Sequence, residues 1–238
     1  MKQIEDTADS RQKSWCIHCG SWLSEVVTNK DHAPSKVLLD EPYPPNLALM
    51  KVCQPCNSSF AEDEEYMTAF LGAVLSGSTE PSAQVVERAA RIFANNQSLR
   101  ARIQRAKQVD RNLFGEEAIS WLPENDRIRN VLVKNARGHA YYEIAEPMLE
   151  KPSRVWFGPL AHLSDEQMRV FENVSWPNGM WPEVGSRMMT RFITGEDLDE
   201  GWIIAQEGVY RYAVMQTGGM LVRIVLREYL AAEVYWEE

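Results

Sequence analysis

The chain has 238 residues, enough for one large domain or two smaller ones, and its 45% hydrophobic and 25% charged fractions are those of an ordinary globular protein. A formal charge of −9 speaks against indiscriminate nucleic-acid binding, because phosphate contacts need clustered Lys and Arg. The longest uncharged apolar run, residues 70–75, falls far short of the roughly 20 residues that cross a bilayer, so no membrane partner is expected.

Taken in order, residues 1–13 mix charges of both signs and lack an apolar stretch, so they read as a flexible tail rather than an export signal. Residues 15–20 have the form of a metal knuckle, and 21–28 suit a short strand leading to Asp31-His32. Four prolines, Pro34, Pro42, Pro44 and Pro45, make 33–46 a stiff irregular loop. After Cys56 a helix is expected, with Asn57, Ser58 and Ser59 as N-cap candidates, Glu62, Asp63, Glu64 and Glu65 in its first turns, and residues 77–81 ending it.

Residues 82–107 read as helix, broken near Asn95-Asn96, and 126–145 as another, interrupted at Arg137-Gly138-His139. Further on, 154–160 is strand-like, and Ser164 with Gln167 forms a capping-box pattern for a short helix. Residues 202–236 are rich in β-formers, with Gly218-Gly219 as a hairpin signal. The aromatic residues of this last third, Trp176, Trp181, Trp202, Tyr210, Tyr212, Tyr229, Tyr235 and Trp236, read mainly as core.

Charge is uneven. Residues 1–81 carry 6 basic and 12 acidic side chains, 82–140 carry 11 and 6, and 141–238 carry 8 and 16, so only the middle is basic. Arg88, Arg91, Arg102 and Arg105 mark its helix as the candidate phosphate-tracking face, the alternative being a solvated helix surface.

All four cysteines fall in two C-x-x-C pairs, Cys16 with Cys19 and Cys53 with Cys56. Two such pairs, in a chain with no export signal, read as thiolate ligands of a tetrahedral zinc and point to the cytoplasm. Four sulfurs leave zinc no open position, so this metal is structural.

The 33 residues between the pairs carry Asp31-His32 and Asn46, and the second pair ends in Asn57. The order C-x-x-C, D-H, N, C-x-x-C-N over about residues 15–70 resembles the HNH endonucleases, a His-Me finger family with a ββα-metal core often stapled by cysteines. The resemblance implies that His32 is the general base, that Asn46 orients the loop, and that Asn57 occupies the final position. There the family has His, although Asn also stands there in the HNH domain of RNA-guided CRISPR nucleases. The chemistry agrees: imidazole can deprotonate water near neutral pH, and the Asp31 carboxylate with the Asn57 amide oxygen are hard donors suited to Mg2+.

Other candidates have plainer readings. His18 reads as solvent-facing rather than as a replacement ligand. Lys36 and Lys51 could touch substrate phosphate or simply be solvated, and His139 reads as structural or superficial. The expected protein is α+β: a tail at 1–13, a zinc-stapled ββα-metal nuclease core at 14–78, a helical basic segment at 79–150 and a β-rich domain at 151–238. Its expected function is metal-dependent hydrolysis of nucleic-acid phosphodiesters, DNA favoured, in a defence or mobile-element role. The alternative is a zinc-stapled nucleic-acid or protein binding module that kept the scaffold and lost catalysis.

Overall fold

A short antiparallel hairpin carries the Asp-His dipeptide: β1 (Thr28–Ala33) pairs with β2 (Ala48–Cys53), setting Asp31 opposite Met50 and His32 opposite Leu49. The computed structural model describes residues 14–111, 117–174 and 181–237, so the 1–13 tail and Trp176 lie outside it. The described residues form a mixed α/β protein divided into two compact units, one holding the chain up to Ser59 and again from Leu132, the other Phe60–Val131. This division does not follow the consecutive segments expected, because the first unit closes through contacts between residues more than 100 positions apart, such as Asp31 with Lys134 and Asp40 with Arg227.

In the first unit, α1 (Gln54–Ser59) follows β2 directly and packs on both strands, giving a strand–strand–helix order. Cys56, Asn57 and Ser59 lie inside this helix, which starts earlier than expected; the polar residues after Cys56 do not cap it. The strand begins at Thr28 rather than in 21–28, where only an isolated bridge joins Trp15 to Trp22. The proline loop holds one 3-10 turn, Lys36–Leu38.

The helix α5 (Asn125–Ile144) runs unbroken through Gly138. A Cβ on Gly138 would lie 2.6 Å from the Ala33 Cβ, so this glycine is a point of close approach between helix and hairpin, not a break. Cys16, Ile17, Leu23, Met50, Val52 and Tyr141 join in the apolar cluster beneath the hairpin. Removing apolar surface from water on this scale is what holds so short a hairpin, which is marginal alone.

The rest of the first unit is a six-stranded antiparallel sheet of β5 (Arg154–Pro159), β6 (Leu198–Asp199), β7 (Trp202–Gln206), β8 (Tyr210–Gln216), β9 (Gly219–Leu226) and β10 (Leu230–Glu237), in the order β5-β10-β9-β8-β7-β6. The Gly218-Gly219 signal does connect two paired strands, β8 and β9. Every residue of β9 is buried, so its near-continuous apolar run shows no alternation. Its one charge, Arg223, donates to the carbonyls of Val170, Phe171 and Asn173 at the end of α6 (Asp165–Glu172). The Ser164–Gln167 capping box at the start of α6 is formed. A further short helix, α7 (Arg187–Thr194), precedes β6.

The proline loop is tied to this sheet. Gln206 accepts from the Asp40 N–H at 2.9 Å and donates to the Asp40 carbonyl at 3.0 Å, while Arg227 forks onto the Asp40 carboxylate at 2.7 and 2.9 Å. Hence the β-rich part and the cysteine hairpin share one unit.

In the second unit, α2 (Ala61–Ser76) packs on α3 (Glu87–Asn95) so closely that a Cβ on Gly72 would meet the Ala89 Cβ at 2.3 Å. The expected break at Asn95-Asn96 is real: the Asn96 side chain caps α4 (Gln97–Arg105) by accepting from the Leu99 N–H. Lys107 leaves helical structure for β3 (Lys107–Arg111), paired with β4 (Glu117–Trp121), a hairpin the sequence did not suggest.

Candidate functional site: a four-cysteine cluster beside the His32 hairpin

The first cysteine pair sits on a tight turn. The Gly20 N–H donates to the Cys16 carbonyl at 2.8 Å, and Gly20 has φ +73°, which a side chain would resist. The second pair joins the end of β2 to the first turn of α1, with the Cys56 N–H aimed at Cys53 Sγ, 3.4 Å away. All four cysteines are free thiols, and their sulfurs lie within 4.8 Å of one another. Cys19 and Cys53 Sγ are 3.7 Å apart, close to the roughly 3.8 Å edge of a tetrahedron with about 2.3 Å metal–sulfur bonds. The cluster is therefore compatible with one structural zinc.

Burial pushes the Cys16 and Cys56 thiols up. At Cys19 burial acts in the same sense but is outweighed by hydrogen bonds to Ser21, Cys56 and Cys53, which bring it to about 7. A metal ion would take up the negative charge that these thiols otherwise avoid.

Strand alternation sends Asp31 and His32 to opposite faces of the hairpin. Asp31 turns inward, 7% exposed, onto α5. Its Oδ1 accepts from Lys134 Nζ at 2.8 Å and from the His32 N–H at 2.9 Å, and its Oδ2 lies 3.5 Å from His18 Nε2. Burial raises the Asp31 carboxyl, but the His18 and Lys134 partners prevail and hold it below its usual range. Lys134 also donates to Ser35 Oγ at 3.0 Å, and Asn135 accepts from the Ser35 N–H at 2.8 Å. His18 is thus buried in a polar network instead of facing solvent, and Arg137 secures its carbonyl at 3.0 Å.

His32 turns outward and is half-buried. Lys30 and Lys51, both exposed, face each other across the same hairpin, and the register puts them on the His32 side with Leu49. Burial first, and then the charge of Lys36, lower the His32 pKa, so its imidazole is neutral at pH 7. Lys36 itself stands over the Tyr43 ring, 5.3 Å from its centre.

Asp31 turns to the face opposite His32, with Lys134 on its Oδ1 and His18 near its Oδ2, so a hard cation there would compete with a buried ammonium for the carboxylate. Asn57 lies half-buried in α1, and Asn46 is exposed at the end of the proline loop. Among the described residues, the four cysteines are the one grouping of three or more His, Cys, Asp or Glu suited to a metal.

The basic helices carry their own counter-charges. Arg91 pairs with Glu87 at 3.4 Å, Arg100 with Glu80, and Arg102 with Glu124 at 3.0 Å while lying over Tyr66. Arg88 is half-buried and Arg105 is exposed, so the stripe offers less free charge than its composition suggests. His139 is fully buried against Tyr212, and burial together with Arg191 lowers its pKa to about 3.

Among the described residues, no helix is long and apolar enough to cross a membrane. No family model, curated protein or solved structure matches the chain.

Sequence reasoning missed Lys30, Lys134 and His18 as neighbours of the Asp-His pair. Lys134 is 103 residues from Asp31 and no local pattern announces it, whereas Lys30 follows from strand alternation once the hairpin register is known.

Proposed function

We propose that this chain is a zinc-stapled nuclease of the HNH type, hydrolysing nucleic-acid phosphodiesters with His32 as general base. The observation that carries it is the outer face of the hairpin: a half-buried, outward-turned imidazole with the exposed Lys30 and Lys51 on the same side. The strand–strand–helix order and the four-cysteine cluster beside it lend support. Cys16, Cys19, Cys53 and Cys56 would hold the zinc, which fixes the fold and, with a closed set of sulfurs, takes no part in the reaction. In the reaction His32 accepts a proton from water as the water oxygen bonds to phosphorus and the opposite P–O bond breaks, the departing oxygen taking up a proton from solvent. The lysines hold the non-bridging oxygens as charge builds on them. DNA is favoured over RNA only by the resemblance.

The test is nicking of supercoiled plasmid in Mg2+, wild type against His32→Ala, with a loss of about 100-fold or more expected for the variant. If pure protein cleaves no DNA or RNA in Mg2+, Mn2+ or Ni2+, the nuclease reading fails.

A second reading, a binding module that has lost catalysis, draws on one observation: Asp31 is locked to Lys134. Salt-dependent binding of DNA without cleavage, weakened by Lys30→Ala and Lys51→Ala, would favour it.

A further inference from the structure

The four sulfurs of the cluster are not equally placed. Cys16 and Cys53 belong to the apolar cluster beneath the hairpin, at 0% and 3% exposure, and Cys56 packs against it. Cys19 stands outside that cluster and is exposed. A reagent arriving from solvent therefore meets Cys19 first.

Across from it, in the other pair, Cys53 Sγ is 3.7 Å away. A disulfide needs about 2.0 Å between sulfurs, so the two have less than about 2 Å to travel. Cys53 is fixed at the end of β2, opposite Thr28 and in the core, so the movement falls to Cys19 on its exposed turn. An accessible thiolate with a second thiol poised beside it is the arrangement that redox-responsive cysteines share.

The choice of partner decides what oxidation does to the fold. A bond within either pair would leave the knuckle at Cys16 and Cys19 unconnected to the hairpin. A bond from Cys19 to Cys53 would join the same two segments that one metal ion joins.

We propose that Cys19 is a site of oxidative modification by hydroperoxides, and that Cys53 resolves the product into a Cys19–Cys53 disulfide which holds the hairpin when zinc leaves. The proposal rests on the zinc reading of the cluster and is independent of the nuclease reading. The Cys19 thiolate attacks the hydroperoxide: an S–O bond forms, the O–O bond breaks, and the departing oxygen takes a proton from solvent, leaving a sulfenic acid. The Cys53 thiolate then attacks Cys19 Sγ. An S–S bond forms, the S–O bond breaks, and the released hydroxide takes a second proton to become water. The two thiolates lose one electron pair in all, and the peroxide bond gains it. With Cys19 and Cys53 spent, the remaining sulfurs no longer close a tetrahedral set. Dithiol reductants reverse the bond by exchange, as suits a transient disulfide in a reducing compartment.

The test treats full-length protein loaded with zinc with an excess of hydrogen peroxide. Zinc release is followed with a chromogenic chelator, disulfides are mapped by mass spectrometry of unreduced peptides, and hydrogen exchange is read on β1 and β2. About one zinc should leave per disulfide formed, and the Cys19–Cys53 product should exceed Cys16–Cys19 and Cys53–Cys56 by about tenfold. Amides of β1 and β2 should exchange about tenfold more slowly in the oxidised protein than in reduced protein stripped of zinc by a chelator. The double variant Cys16→Ser, Cys56→Ser keeps only the two proposed partners; it should form the same bond and melt higher oxidised than reduced. In-pair disulfides as the main product, or Cys19 carried to sulfinic acid while Cys53 stays a free thiol, overturns the assignment. Oxidised protein whose β1 and β2 exchange as fast as in the chelated protein overturns the holding role. Absence of zinc from the protein as isolated sinks the zinc reading alone, since the Cys19–Cys53 bond is read on peptides and needs neither metal nor cleavage of nucleic acid.

Discussion

Asp31 is the residue whose sequence context leaves two uses open. Beside His32, the letter D suggests a hard metal ligand; folded, it is half of a buried ion pair with Lys134, and no local pattern distinguishes the two uses. Removing one partner of a buried pair leaves a charge without compensation, at a cost of about 3–5 kcal/mol, whereas replacing both is close to neutral. Lys134→Met should therefore lower the stability to urea unfolding by about that amount, and Asp31→Asn added to it should restore most of the loss. A cost below about 1 kcal/mol for Lys134→Met would mean that Asp31 finds another cation, returning it to the list of possible metal ligands. His32 was easier to read, because an outward position on an edge hairpin follows from alternation once Asp31 is known to face inward.

Elements were legible wherever one pattern dominated. The Ser164–Gln167 capping box, the Gly218-Gly219 hairpin and the helix break at Asn96 all announced themselves in a few residues. Gly138 did not, because glycine serves both to end a helix and to admit a neighbour, and only the hairpin lying against α5 tells which. The two effects can be weighed by Gly138→Ala. Helix propensity alone would stabilise α5 by about 1 kcal/mol, while forcing a methyl to within 2.6 Å of the Ala33 Cβ should cost about 1–3 kcal/mol. The hairpin has its own ladder and cannot move back without opening the cluster of Met50, Val52 and Tyr141. Net destabilisation is expected, read as a lower urea midpoint at unchanged slope, and a raised midpoint would show that the close approach is easily relieved.

At the scale of the whole molecule the sequence was least informative, because the first unit is discontinuous. The bond that ties the proline loop to the sheet joins Asp40 to Arg227, 187 positions apart, and nothing periodic links them. What the sequence did foresee across distance was the meeting of the four cysteines, since two C-x-x-C pairs carry their geometry in their spacing. Two of them, Cys16 and Cys53, belong directly to the apolar cluster under the hairpin, so a metal site there would form together with the core. Structural zinc supplies on the order of 10 kcal/mol, comparable with the whole stability of a domain at about 5–15 kcal/mol. Metal analysis should find about one zinc per chain. Chelation, or Cys53→Ala, should remove hydrogen-exchange protection first from β1, β2 and the second half of α5, which meet at that cluster. Full removal of zinc with unchanged protection there would show that the four sulfurs, although within reach of one ion, do not hold the hairpin together.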